Sequence, residues 1–340
     1  MAKPPRLQKT QLPAASRRTT GHGGFPALAT GAKAVDVVGL GENSVDLVAV
    51  APRFPRPDTK QMLTELAPLV GGQAAPAMVA CARLGWRARY LGSVGDDEDG
   101  RRVTDALAAA GVDVQVRVRP GVPTRRAVVL VDGRTGQRAI LEHRDPAVAL
   151  RIEDLDLALV TSGRLLLLDA RDLELSCAAA RMARAAGVPV VLDVEQPAPG
   201  VEALLRLADV IVAAGPFPGQ LTGARHAGTA LRRLAAVSGA PVVVATLGPE
   251  GSLAYVGGRE VRTPGFQVPV VDTTGAGDAF RGGLIAAWLG AGRAVRPPAL
   301  LAYANAVAAL NCRALGAQAG LPTRAEIDAF VTRPRHGQSK

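Results

Sequence analysis

Between residues 160 and 246 the chain alternates short β-branched or leucine-rich runs with Ala/Leu/Arg stretches of helical length. Strands are predicted at 165–169, 188–193, 210–213 and 242–246, with helices at 173–186, 201–207 and 229–237 between them. Strands that are apolar on both faces and separated by helices build a mostly parallel sheet covered on both sides. Upstream, 35–40, 47–51 and 88–92 read as strands, and 73–84 and 98–110 as helices. Helices are also predicted at 276–289, 297–313 and 324–331. The stretch 112–143 breaks this alternation: it reads as consecutive strands, with Asp132-Gly133-Arg134-Thr135-Gly136 as a hairpin turn. An α/β core therefore carries a smaller β element.

Charge at first suggests an anionic partner: 40 Lys and Arg face 30 Asp and Glu, a formal +10. Position corrects that impression. Six cations and no acid lie in residues 1–33, and Arg333, Arg335 and Lys340 lie in the last ten, so the body holds 31 cations against all 30 acids. Both ends lack an apolar period and are expected to be disordered basic tails, 1–33 and 332–340. Nucleic-acid binding through them would show a steep salt dependence that truncation removes. With 3% aromatics the chain is poorly equipped to stack bases, so no nucleic-acid partner is expected. No apolar run is long enough to span a membrane, and none is expected as a partner. Cys81, Cys177 and Cys312 are far apart, without metal spacing, and read as buried thiols in a reducing compartment, the cytoplasm. Gly39-Leu40-Gly41 lacks the third glycine of a dinucleotide fingerprint. The acids Asp96 to Asp99 precede a helix whose N-terminus favours them.

The most informative stretch is Asp272-Thr273-Thr274-Gly275-Ala276-Gly277-Asp278-Ala279-Phe280, followed by Gly282-Gly283 and an apolar helix. Gly275 and Gly277 allow a tight turn that offers amide N–H groups at a helix start, where negative charge is favoured. Asp278 sits in the first turn, and no basic residue is expected beside it. A carboxylate so placed can take a proton from an attacking hydroxyl.

This stretch closely resembles the C-terminal signature of the ribokinase (PfkB) carbohydrate kinases, and the resemblance extends over roughly residues 35 to 331. Gly41 to Asp46 resembles the family's first strand and turn, which implies that Asp46 binds substrate hydroxyls. Gly71-Gly72-Gln73 leading to Ala82-Arg83-Leu84-Gly85 is similar to the N-terminal signature, implying that Gly71, Gly72 and Gln73 approach the substrate. Tyr90 to Asp97 and Gly100 are equally typical. Thr246 to Gly251 resembles the nucleotide loop, with Thr246, Gly248 and Gly251 as nucleotide-binding residues, and Asn305 lies on a helix similar to the adenine-side helix.

The resemblance implies a ribokinase-like α/β fold: a mostly parallel sheet flanked by helices over residues 34–331, with a small β-sheet lid drawn roughly from 47–69 and 112–126. It implies ATP-dependent phosphorylation of a hydroxyl on a sugar or sugar-like molecule. Asp278 would be the general base, and the amides of Gly275, Ala276 and Gly277 the anion hole. Mg²⁺ would bridge the ATP phosphates. Asp272 and Thr274 match two positions at which relatives hold a monovalent cation such as K⁺. An exposed lid edge offers a homodimer surface.

Two departures point to an alternative. Pro76 replaces the usual Asn of the N-terminal signature, and Ala214 and Phe217 replace the Asn-x-x-Glu motif that helps organise Mg²⁺. A catalytically weak or inactive member, binding nucleotide or sugar without turnover, would carry such changes. Lys60 reads as a solvated loop residue.

Overall fold

The computed structural model describes residues 21–292 and 294–332. Its strands in chain order are β1 (Val37–Leu40), β2 (Asn43–Ala51), β3 (Glu65–Gly72), β4 (Ala88–Gly95), β5 (Asp113–Arg119), β6 (Arg126–Asp132), β7 (Arg138–His143), β8 (Leu165–Asp169), β9 (Val190–Val194), β10 (Val210–Ala214), β11 (Val242–Thr246), β12 (Ser252–Val256) and β13 (Arg259–Thr263). Nine form one sheet in the order β13-β12-β11-β10-β9-β8-β1-β4-β5. Strands β5 to β11 in that order run parallel, and β12 and β13 close the edge antiparallel. β8, with sequence LLLLD, is buried along its whole length, as a strand covered on both faces must be. One core layer packs the helices Ala74–Arg83, Ala276–Ala291 and Pro297–Asn311 against the sheet; the other packs Leu173–Ala185 and Ala227–Ser238 on the opposite face.

The lid is the four-stranded sheet β3-β2-β6-β7. Its inner face buries Val48, Val129 and Val131 against Leu69 and Leu315. The expected lid segment 112–126 needs correcting, because β5 pairs parallel with β4 in the main sheet. The helix Glu98–Ala109 between them makes β4-helix-β5 a crossover unit, which belongs in one sheet. The chain passes to the lid only after Arg119, so 126–132 and 138–143 supply its second half. The turn predicted at 132–136 does join β6 to β7. A second hairpin, β12-β13, was not predicted; it turns on Gly257 and Gly258, whose φ values of 55° and 82° suit a tight primed turn.

The predicted tail boundary at residue 33 also shifts. Phe25 is buried edge-on against Trp288, with centroids 5.3 Å apart. Ala29 N–H donates to the Arg164 carbonyl at 3.0 Å, and Lys33 Nζ to that of Thr161 at 2.9 Å. An aromatic anchor together with these hydrogen bonds docks a segment that has no periodic pattern. Residues 1–20 and 333–340 of the predicted tails lie outside the described residues. All three cysteines are free and buried, as expected. Among the described residues no helix is long and apolar enough to cross a membrane.

Candidate active site

The order of strands reverses between β1, from which β4 and β5 extend one way, and β8, from which β9 to β11 extend the other. In open parallel sheets, ligands bind beyond the carboxyl ends of the strands at such a point. Glu42, Asp169, Glu195, Ala214 and Thr246 all stand at or just past those ends.

The signature turn lies above them. Gly275 caps the helix Ala276–Ala291 with φ 73°, a left-handed conformation natural to glycine. A Cβ there would lie 2.5 Å from Ala317 Cα, so the close approach of that loop also demands glycine. Asp272 braces the turn: Oδ1 accepts from Thr274 N–H at 2.8 Å and Thr274 Oγ1 at 2.7 Å, and Oδ2 accepts from Gly316 N–H at 2.8 Å. The Ala276 N–H donates to the Thr273 carbonyl at 3.3 Å, so one of the three expected anion-hole donors is already engaged.

Asp278 stands buried in the first helical turn. Burial pushes its carboxyl up to about 8, against the opposing pull of Arg281; Glu195 and Asp169 raise it further, and Arg138 lowers it. The sequence expectation of no basic neighbour is therefore overturned. Arg281 Nη1 lies 3.0 Å from Asp278 Oδ1, one helical turn along. Its guanidinium also pairs closely with Asp193 on β9, and Glu195 is 3.8 Å away. The i,i+3 spacing was the available signal, in a helix otherwise apolar past Asp278.

Thr246, Gly248, Gly251 and Asn305 line one cleft of about 580 Å³ together with Ala276, Gly277 and Arg281. The volume is that of a small-molecule site, and Phe266, Ala308 and Ala309 give it an apolar wall. Asn305 Nδ2 donates to the carbonyls of Thr263 and Pro264 at 3.1 and 3.2 Å, so its side chain shapes the wall. Ala214 lines the cleft, and Phe217 is buried in the core.

On the lid side, Asp46 is buried and accepts from Ser44 Oγ at 2.6 Å. Burial raises its pKa, opposed by the Ser44 hydrogen bond and Arg125. Gly71 sits directly beneath, where a Cβ would fall 1.9 Å from Asp46 Oδ2. Gln73 N–H donates to the Glu42 carbonyl at 3.1 Å, fixing the helix start beside Gly72. Pro76 is buried in that first turn.

Sequence reasoning missed the charged cluster next to these residues. Glu42 is held by Arg125 at 2.8 Å and Arg171 at 3.3 Å, and burial pushes it up to about 7. Glu142 of β7 meets the same two arginines, which ties the lid to the main sheet. These residues are distant in sequence, and no local pattern announced them. Arg138 Nη1 donates to Thr273 Oγ1 at 3.0 Å, and Thr273 N–H to the Gly136 carbonyl at 3.2 Å, joining the lid hairpin to the signature turn.

A model of the pfkB family of carbohydrate kinases matches residues 34–324. An ATP-dependent ribose-1-phosphate kinase of Halopiger xanaduensis is 31% identical over 321 residues, covering 88% of this chain and 98% of that protein. A ribokinase of Bacillus subtilis is 29% identical, over 86% of this chain and 98% of its own. A solved ribokinase of Arabidopsis thaliana complexed with ribose and ATP superposes with a TM-score of 0.73 at 25% identity, covering 88% of this chain and all of that one.

Proposed function

The chain belongs to the pfkB family of carbohydrate kinases, which are ATP-dependent phosphotransferases, and on that premise we propose how its own residues carry out the transfer. Asp278 takes the proton of an acceptor hydroxyl on a sugar or sugar-like molecule. The freed oxygen attacks the γ-phosphorus of ATP, and the bond to the bridging oxygen breaks to leave ADP. Such reactions ask the protein mainly for positioning and charge stabilisation.

The observation that carries the reading is the place of Asp278: a buried carboxyl in the first turn of a helix whose cap, Gly275, is left-handed and packed too close to Ala317 to carry a side chain. With the Ala276 N–H engaged, Gly275 and Gly277 are the donors that receive the phosphoryl oxygens. Thr246, Gly248, Gly251 and Asn305 form the nucleotide cleft. Asp46, Gly71, Gly72 and Gln73 take the acceptor, and the lid excludes water.

For Mg²⁺, the donor set fits through Glu195, a half-exposed carboxylate in the nucleotide cleft. This residue would hold the ion by its waters, since Ala214 and Phe217 offer no ligand. When bound with ATP, the ion neutralises phosphate charge. A monovalent cation fits less well at Asp272 and Thr274, because both Asp272 oxygens already accept N–H or O–H donors. No step is assigned to it.

The outer lid face supports a homodimer. Pro68, Leu47, Val128 and Leu141 align across all four strands, and Leu47, Val128 and Leu141 of that row are exposed, as is Leu66 in the next row. An apolar row of this kind fits a second copy of itself.

The test is an ATP-consumption screen over pentoses, hexoses, their phosphates, keto-deoxy acids and nucleosides, run with Asp278→Asn alongside. Turnover that Asp278→Asn abolishes while ATP still binds is the expected result, and unimpaired turnover by that variant refutes the assignment. The alternative of binding without turnover draws on Ala214, Phe217 and Pro76. Thermal shifts with ligands but no ATP consumption across the screen would establish it.

A further inference from the structure

Arg281 is buried within the helix that begins at the signature turn. Charged side chains in such places need a partner. Asp193 alone would provide one. Instead the guanidinium divides itself: Nη2 goes to Asp193, and Nη1 to Asp278 at 3.0 Å. Among the described residues neither Asp193 oxygen has a hydrogen-bond partner apart from the ion pair, so the compensation for that buried acid there is Arg281. A pairing of one cation with Asp193, Asp278 and nearby Glu195 is a poor device for stability, since burying charge costs several kcal/mol per ion. Its position is more telling. A Cβ on Gly277 would come within 2.7 Å of Nη1, so the guanidinium packs directly against the anion-binding turn, and Arg281 lines the nucleotide cleft.

We propose that Arg281, anchored by Asp193, is a positioning residue that fixes one oxygen of the Asp278 carboxylate over the phosphoryl-binding turn and favours the ionised form of that carboxylate, against its burial, for its work as base. The assignment rests on Asp278 being the base, as proposed above. The charged groups facing Asp278 are Arg281 on its own helix, Asp193 and Glu195 at β9, Asp169 at β8 and Arg138 from the lid. The acids, like burial, oppose ionisation. Of the two cations, Arg281 is the one in direct contact.

The experiment compares wild type, Arg281→Lys, Arg281→Gln and the double variant Asp193→Asn/Arg281→Gln. The double variant removes the buried pair together, so it leaves no orphaned Asp193 to unfold the protein. kcat/KM is measured from pH 6 to 10.5, with ATP affinity by calorimetry and thermal unfolding at each pH. An opposite charge in contact lowers a carboxyl by about 1–3 units. The acid limb of Arg281→Gln should therefore move up by at least about one pH unit, with a loss of tenfold or more at pH 7 that alkaline pH recovers; the double variant should move the same way by less, because it also removes an acid that opposes ionisation. Arg281→Lys should fall between wild type and Arg281→Gln. A loss that is equal at all pH values, or an unmoved limb in a folded double variant, overturns the proposal. Asp278→Asn separates the two readings: if it turns over normally the base assignment fails, whereas an inactive Asp278→Asn with an unmoved Arg281→Gln limb condemns only the role given to Arg281.

Discussion

Replacing Gly275 by Ala should damage both stability and transfer, and the two costs can be worked separately. A non-glycine residue in the left-handed region costs about 1–2 kcal/mol. At φ 73° the new Cβ would also stand 2.5 Å from Ala317 Cα and 2.6 Å from its carbonyl oxygen, far inside van der Waals contact. Both obstacles are backbone, so the turn or the loop must move, and overpacking of this sort adds about 1–3 kcal/mol. The total is about 2–5 kcal/mol. Gly257 supplies the control: its φ is 55°, and a Cβ there meets nothing within 4 Å. Gly257→Ala should lose only the backbone cost. Chemical denaturation of both variants therefore isolates the clash as their difference. A shift of about 1 Å in the turn should also lower kcat by about 10²-fold, whereas Gly257→Ala keeps wild-type turnover. If the two variants unfold alike and Gly275→Ala retains kcat within twofold, the close fit of the turn against Ala317 has no energetic meaning.

Asp278→Asn should lower kcat by about 10²- to 10⁴-fold, as loss of a general base does, with ATP affinity retained. In the wild type kcat/KM should rise with pH through about 8 as Asp278 ionises. Stability follows the opposite sign. From the ordinary carboxyl value near 3.8 up to about 8, native Asp278 holds a proton that the unfolded chain has lost. The stability linked to it is complete below that range and drains away as pH rises through about 8, and Asp278→Asn should flatten that slope in denaturation measured between pH 4 and 8. Leu141→Glu should convert a lid-mediated dimer to monomer in light scattering without changing secondary structure. Phe25→Ala should destabilise the domain by about 3–5 kcal/mol through loss of its contact with Trp288, seen in urea unfolding.

Local chemistry was legible in the sequence. Gly275 was readable as the turn that opens the following helix, and the parallel sheet showed in runs such as β8 and β11 because strands buried on both faces cannot alternate. What escaped depended on distance. The sequence of β5 alternates like a lid strand, and only its pairing with β4 places it in the main sheet. The two arginines around Glu42 come from the turn into β6 and from just past the end of β8. Arg281 was half visible: its spacing from Asp278 is local, but its pairing with Asp193 requires the helix to lie over β9.

The bonds from Gly136 and Arg138 to Thr273 have a consequence for redesign. They tie the hairpin tip of the lid directly to the signature turn. A lid grafted from another kinase to change the acceptor would have to bring a compatible hairpin with it. Otherwise, a change made for the sugar would be felt first in the use of ATP.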